Sequence, residues 1–130
     1  MAVNLLDHMP FAKSLGLEVD TSSKGQIKAS LTVSEALCTT GRIMHGGAIM
    51  AVADTLGAIG AYLNLPEGAK ATTTIESKTN FLGAAKLGSK VAVETTPVHI
   101  GGRTSVWQTR LTTTEGKSVA IVTQTQLVLR

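Results

Sequence analysis

Apolar and polar positions change their period along this chain, and each change marks an element. Leu5, Leu6, Met9 and Ala12 fall near one face of a helical segment over Leu5 to Ser14, with Pro10 as a start or a break and Gly16 as its end. From Glu18 to Val33 the period drops to two. Ile27, Ala29, Leu31 and Val33 alternate with Gln26, Lys28, Ser30 and Thr32, and Gly25 marks a turn within a hairpin or bent strand pair. Ser34 to Met44 reads as a connecting loop with a short turn. A second helix follows over Ala48 to Leu63, and Pro66-Glu67-Gly68 closes it. Four strands complete the chain: Thr72 to Leu82, Lys90 to Ile100, Arg103 to Thr114 and Ser118 to Leu129. They are separated by a loop over Gly83 to Gly88 and by turns at Gly101-Gly102 and Glu115-Gly116, so short antiparallel connections are expected. Strands, one helix, then strands predict an α+β protein whose antiparallel sheet wraps around one long central helix.

That helix carries the candidate chemistry. Between Ala48 and Leu63 its one charged side chain is Asp54, and its other side chains are mostly small or apolar. A helix apolar on every face is expected to be buried, and a buried carboxylate costs several kcal/mol unless it is paired, hydrogen-bonded or protonated. At the helix start, Gly46 and Gly47 expose backbone N–H groups where the helix dipole also favours negative charge. Oxyanion donors and a lone acid on one helix suggest acyl transfer. The stretch from Ile43 to Leu65 is also long enough to resemble a membrane span, but it contains His45 and Asp54 and is followed by alternating strands, which favours a protein without a membrane segment.

Composition narrows the function classes. With 130 residues the chain is expected to form one domain over 1–130, its core aliphatic because only Phe11, Tyr62, Phe81 and Trp107 are aromatic. A net charge of +3 without a Lys/Arg run argues against nucleic-acid binding, although a modest basic excess suits a phosphorylated ligand. Cys38 is the only cysteine and Met1 to Asp7 lacks signal-peptide features, so a reducing, cytoplasmic location is expected. His8 and His99 are isolated, which leaves no metal-ligand spacing. No Gly-x-Ser-x-Gly occurs and Cys38 has no histidine in a recognisable pattern, so neither residue type is expected as nucleophile.

Spacing adds a constraint on assembly. Gly47 and Asp54 share a helix face but lie about 10 Å apart along the axis. One substrate carbonyl cannot meet both. It could meet Gly47 of one helix and Asp54 of an antiparallel copy, so each site would be built across a two-fold dimer interface.

His45-Gly46-Gly47 followed by Asp54-Thr55 resembles the signature of hotdog-fold acyl-CoA thioesterases, in the phenylacetate-degradation (PaaI-like) branch of the 4-hydroxybenzoyl-CoA thioesterase superfamily. The similarity extends through Thr74 to Gly83 and Gly102-Arg103-Thr104, covering nearly the whole chain. The resemblance implies the hotdog fold and hydrolysis of an acyl-CoA to a free acid and coenzyme A, with no cofactor. It assigns the Gly47 N–H to the oxyanion and Asp54 to nucleophilic attack through a mixed anhydride or to general-base activation of water. Gly46 and His45 complete the helix start, with His45 expected as a positioning group.

Two departures stand out. The Asn or Gln found in many relatives six residues before the histidine is Thr39 here, with Thr40 an equal substitute, and a hydroxyl residue four after the acid is replaced by Ala58. Ser77, Lys78 and Thr79 on the strand after the helix, with Arg103 and Thr104 after the Gly-Gly turn, are the candidate substrate and coenzyme contacts. Strand propensity explains Ser77 and Thr79 equally well. Ala48, Gly57, Ala58, Gly60 and Ala61 are expected to leave room near the helix for an aryl or a short- to medium-chain acyl group. A homodimer is the minimum assembly, and a tetramer is the family habit. The alternatives are a hotdog acyl-thioester dehydratase or hydratase, which would need His45 opposite the acid, and a non-catalytic acyl-CoA-binding protein.

Overall fold

The computed structural model describes residues 5–130. The first four residues, part of the stretch read for signal-peptide features, lie outside the described residues. The N-terminal segment is broken at its proline: a 3-10 turn over Leu5–His8 gives way to α1 (Pro10–Ser14), because proline has no N–H to continue a helix but suits its first turn. Lys13 Nζ donates to Asp7 Oδ1 at 2.8 Å and ties the two pieces together. That bond holds the Asp7 carboxyl below its ordinary range.

The strands β1 (Glu18–Ser22), β2 (Ile27–Thr32), β5 (Ala71–Phe81), β6 (Lys90–Ile100), β7 (Thr104–Thr113) and β8 (Ser118–Leu129) form one antiparallel sheet in the order β1-β2-β6-β7-β8-β5. A two-stranded hairpin of β3 (Cys38–Thr39) and β4 (Ile43–Met44) leads into the central helix α2 (Gly46–Leu63). The strand boundaries follow the period-two reading closely. The connection from β5 to β6 does not. These strands were expected as neighbours, yet β6 joins β2 on one side while β5 pairs with β8 at the sheet's edge. Alternation identifies the strands but carries no information about which edge each one finds.

The sheet curves around α2, which touches β5, β6, β7 and β8. Ile49, Val52, Ala53, Leu56 and Ile59 enter a core with Ile27, Leu31, Val91, Val93, Leu111, Val119 and Val122. Two glycines set how closely helix and sheet approach. A Cβ at Gly60 would lie 2.7 Å from Trp107 Cζ3, and one at Gly57 would overlap the side-chain amide of Gln124. The space expected at Gly57 and Gly60 for an acyl group is therefore filled by the protein's own side chains.

The helix is not buried on every face. Gly47, Met50, Asp54 and Tyr62 are exposed along one stripe, and Ala58 is half-buried. A sheet covers a helix from one side, so a helix apolar all round keeps an open face within one chain. Asp54 lies on that face, so the expected burial of its carboxylate is not met within the chain.

Candidate active site

The β3–β4 hairpin delivers the chain to the start of α2 with His45 as the capping residue. Its backbone is extended (φ −62°, ψ 136°), and its Nδ1 accepts the Gly47 N–H at 2.7 Å. Its carbonyl accepts from Ala48 N and Ile49 N at 3.0 and 3.1 Å. An acceptor at Nδ1 leaves the proton of a neutral imidazole on Nε2. His45 N itself donates to the Leu37 carbonyl at 2.8 Å, so of the four N–H groups without a regular helical partner those of His45, Gly47 and Ala48 are used. Among the described residues, the Gly46 N–H has no acceptor. The expectation that Gly47 supplies the open oxyanion donor is corrected here, because His45 already holds that N–H. Gly46 is half-buried beneath Phe81, where a Cβ would sit 3.2 Å from the ring atoms Cε1 and Cζ. Sequence reading missed Phe81 as a neighbour of this site, since only the pairing of β5 with β8 brings it there.

Two turns further on, Asp54 Oδ1 accepts a hydrogen bond from Thr74 Oγ1 at 2.7 Å. Behind it lies a buried polar network. Gln126 Nε2 donates to Thr74 Oγ1 and to Gln124 Oε1, both at 2.6 Å, and Gln126 Oε1 accepts from Thr72 Oγ1 at 3.0 Å. Gln124 Nε2 donates to the Ala53 carbonyl of α2 at 2.8 Å. Both glutamines are fully buried. They occupy alternate positions of β8 on the same face as the core residues Ala120 and Val122. Polar residues at the apolar phase of a strand were the available signal for them.

Register assigns the candidate coenzyme contacts to two faces. Thr74 pairs with Gln126, but a bulge between Thr74 and Glu76 puts Ser77 opposite Gln124, Thr79 opposite Val122 and Phe81 opposite Ala120. Directly opposed residues share a face, so Ser77, Thr79 and Phe81 lie on the helix side and Lys78 on the outer side, away from Asp54. Thr79 Oγ1 is buried without a hydrogen-bond partner. Arg103 is exposed on the β6–β7 turn, its carbonyl accepting from Val128 N at 2.8 Å, and Thr104 begins β7 opposite Leu127. Thr39 is exposed on β3 opposite Ile43, and Thr40 follows it in the turn. Arg103 and Thr104 lie at the end of the sheet where β5 begins, whereas the helix start meets Phe81 where β5 ends.

Beside the exposed stripe of α2 runs a cavity of about 420 Å³ lined by Leu5, Met9, Ala58, Ile59, Tyr62 and Thr72, among others. Ala58 places it one helical turn beyond Asp54. A larger cavity of about 600 Å³ lies among Asp20, Lys28, Glu94 and Arg110 and does not include the helix.

The thioesterase superfamily pattern matches residues 41–120, from the hairpin before α2 into β8. The chain belongs to the thioesterase superfamily. This thioesterase is 32% identical over 99 residues to 1,4-dihydroxy-2-naphthoyl-CoA thioesterase 2 of Arabidopsis thaliana, covering 76% of this chain and 62% of the plant protein. Its fold matches the crystal structure of a Haemophilus influenzae thioesterase with a TM-score of 0.87 at 25% identity, over 100% of this chain and 93% of the other. It matches a hypothetical thioesterase of Streptococcus pneumoniae, crystallised with coenzyme A, with a TM-score of 0.84 at 23% identity, over 95% of each chain. The fold is the hotdog fold, and the thioesterase is a thioester hydrolase.

Proposed function

We propose that this thioesterase hydrolyses an aryl- or short- to medium-chain acyl-CoA, using Asp54 at sites shared between two subunits, and that it belongs to the PaaI-like branch. The observation that carries the reading is the state of Asp54. One carboxylate oxygen is bonded to Thr74, and the other has no partner among the described residues, on an exposed helix face beside an apolar cavity.

The reaction takes up one water and releases a carboxylic acid and the coenzyme thiol. The free oxygen of Asp54 either attacks the thioester carbonyl to give a mixed anhydride or removes a proton from the attacking water. In both routes the carbonyl oxygen gains negative charge, and the open Gly46 N–H at the positive end of α2 is the donor suited to receive it. Single turnover in oxygen-18 water distinguishes the routes where label enters the Asp54 carboxylate, which only the anhydride permits.

Gly46 and Asp54 are eight residues apart, about 12 Å along the helix, so the two groups cannot serve one carbonyl from one chain. Features of the chain favour a partner at this face. β5 is an edge strand of eleven residues, and Met50, Tyr62, Ile75 and Phe81 are exposed large apolar side chains. Pairing two copies there would bring Gly46 of one subunit toward Asp54 of the other, and a tetramer would follow from pairing two such dimers.

The cavity beyond Asp54 suits the acyl group, since Leu5, Met9, Ile59 and Tyr62 offer apolar surface and Ala58 leaves space. Arg103 and Thr104 remain the proposed coenzyme contacts, and Ser77 and Thr79 the proposed contacts of the thioester; Lys78 faces outward and would meet phosphate only from that side. A thiol-release panel of benzoyl-, phenylacetyl-, butanoyl-, hexanoyl- and decanoyl-CoA tests the assignment. Turnover should be highest for an aryl or short- to medium-chain member. Release confined to hexadecanoyl-CoA, run beside these five as the long-chain control, would overturn the substrate class.

A further inference from the structure

Four polar side chains behind Asp54 are linked, Gln124 and Gln126 buried and Thr72 and Thr74 half-buried, and their order imposes a direction. The Ala53 carbonyl can only accept, so the group that Gln124 turns toward it must be its NH₂, at 2.8 Å. Gln124 Oε1 then points along β8, and Gln126 must meet it with its own NH₂, at 2.6 Å. The second hydrogen of that NH₂ goes to Thr74 Oγ1, also at 2.6 Å, while Thr72 donates to Gln126 Oε1 from the other side. The Thr74 hydroxyl accepts from Gln126 on one lone pair and gives its one hydrogen to Asp54 Oδ1, a carboxylate oxygen that accepts, at 2.7 Å. Reversing any amide would set two carbonyl oxygens against each other in a region from which both glutamines exclude water.

We propose that Gln124 and Gln126, acting through Thr74, are positioning residues that fix which oxygen of Asp54 is reactive. The chain begins at a helix carbonyl one residue before the acid and returns to the acid's own side chain, so helix, β8 and β5 are locked in one arrangement. Oδ1 is held by a hydrogen that cannot turn elsewhere. Oδ2 alone meets water or the thioester. A surface carboxylate without this support would rotate between equivalent orientations, and part of the substrate's binding energy would go into stopping that rotation. Gly57 belongs to the same device, since any Cβ there would displace the Gln124 amide from the helix.

The proposal rests on Asp54 being the reactive acid, and the experiment separates the two claims. Thiol release from benzoyl-CoA and hexanoyl-CoA is measured for the native protein, Asp54→Ala, Thr74→Val and Thr74→Ser, using the better substrate, with thermal unfolding recorded for each. Thr74→Val keeps the shape of the side chain and removes its donor. We expect kcat to fall by about ten- to a hundredfold, the loss of one hydrogen bond to a charged group, while KM stays within about twofold. Thr74→Ser, which restores the hydroxyl, should recover most of the rate. Native kcat in Thr74→Val beside an inactive Asp54→Ala would overturn the positioning role and leave the Asp54 reading intact. A loss in Thr74→Val that serine does not repair, or that tracks a lowered unfolding temperature, would also overturn it as a structural effect. Native turnover in Asp54→Ala would remove the reading of Asp54 and the positioning role with it.

Discussion

His45 decides which backbone N–H at the start of α2 is open. It takes the Gly47 N–H on Nδ1, caps the helix and leaves the Gly46 N–H without an acceptor among the described residues. Gly46→Pro tests this, because proline is favoured at the first helical position and His45 already has the extended backbone that a residue before proline requires, while the exposed Phe81 ring, 3.2 Å from such a Cβ, must shift by a few tenths of an ångström. The expected result is a fall in kcat of about 10²–10³, the loss typical of one oxyanion donor, with near-native thermal unfolding. Unchanged kcat would exclude the Gly46 N–H. His45→Ala removes the cap and should cost about 0.5–2 kcal/mol in denaturant unfolding. For Asp54→Ala, kcat should fall by about 10²–10⁴ with the fold intact, as expected for loss of an acid–base group.

The central helix shows how two glycines that look alike in sequence differ by what they face. Gly57 meets Gln124 and Gly60 meets Trp107, whose Nε1 donates to Ser105 Oγ at 2.8 Å. Alanine at either position overpacks the helix–sheet contact and should cost about 1–3 kcal/mol, offset in part by alanine's better helix propensity. The two variants should part in kinetics. Gly57→Ala displaces the support of Asp54 and lowers kcat, whereas Gly60→Ala acts on stability alone. Equal kcat in both would detach the glutamines from the site. The helix itself, the strand boundaries and the Asp54 signature were legible in the sequence because each rests on local periodicity or on a fixed spacing within one element. Gln124, Gln126 and Thr74 were not, because their meaning depends on β8 lying between β5 and β7. Phe81 over Gly46 depends on the same pairing, displaced by a bulge that alternation does not reveal.

At the scale of the molecule, the open question set by helix geometry is how a donor and an acid about 12 Å apart reach one carbonyl. Shared sites answer it and predict complementation. In the proposed symmetric dimer Gly46→Pro and Asp54→Ala should each lose nearly all activity, whereas a mixed dimer would retain one site with both groups intact. Statistical mixing should restore about a quarter of native activity, measured as thiol release after co-refolding. No recovery, with mixed dimers verified by mass, would place donor and acid outside a common site. The sequence by itself determined the α+β class, the single apolar helix, the acid upon it and its distance from the glycines, since these follow from period and rise per residue. Only the tertiary structure decided that the acid stands on an exposed face, that His45 occupies Gly47, and that two buried glutamines reach Asp54 through Thr74. The exposed acid and the glutamine relay depend on which strands become neighbours, a long-range choice that no local pattern encodes, and the His45 cap depends on a side-chain rotamer that residue order does not fix.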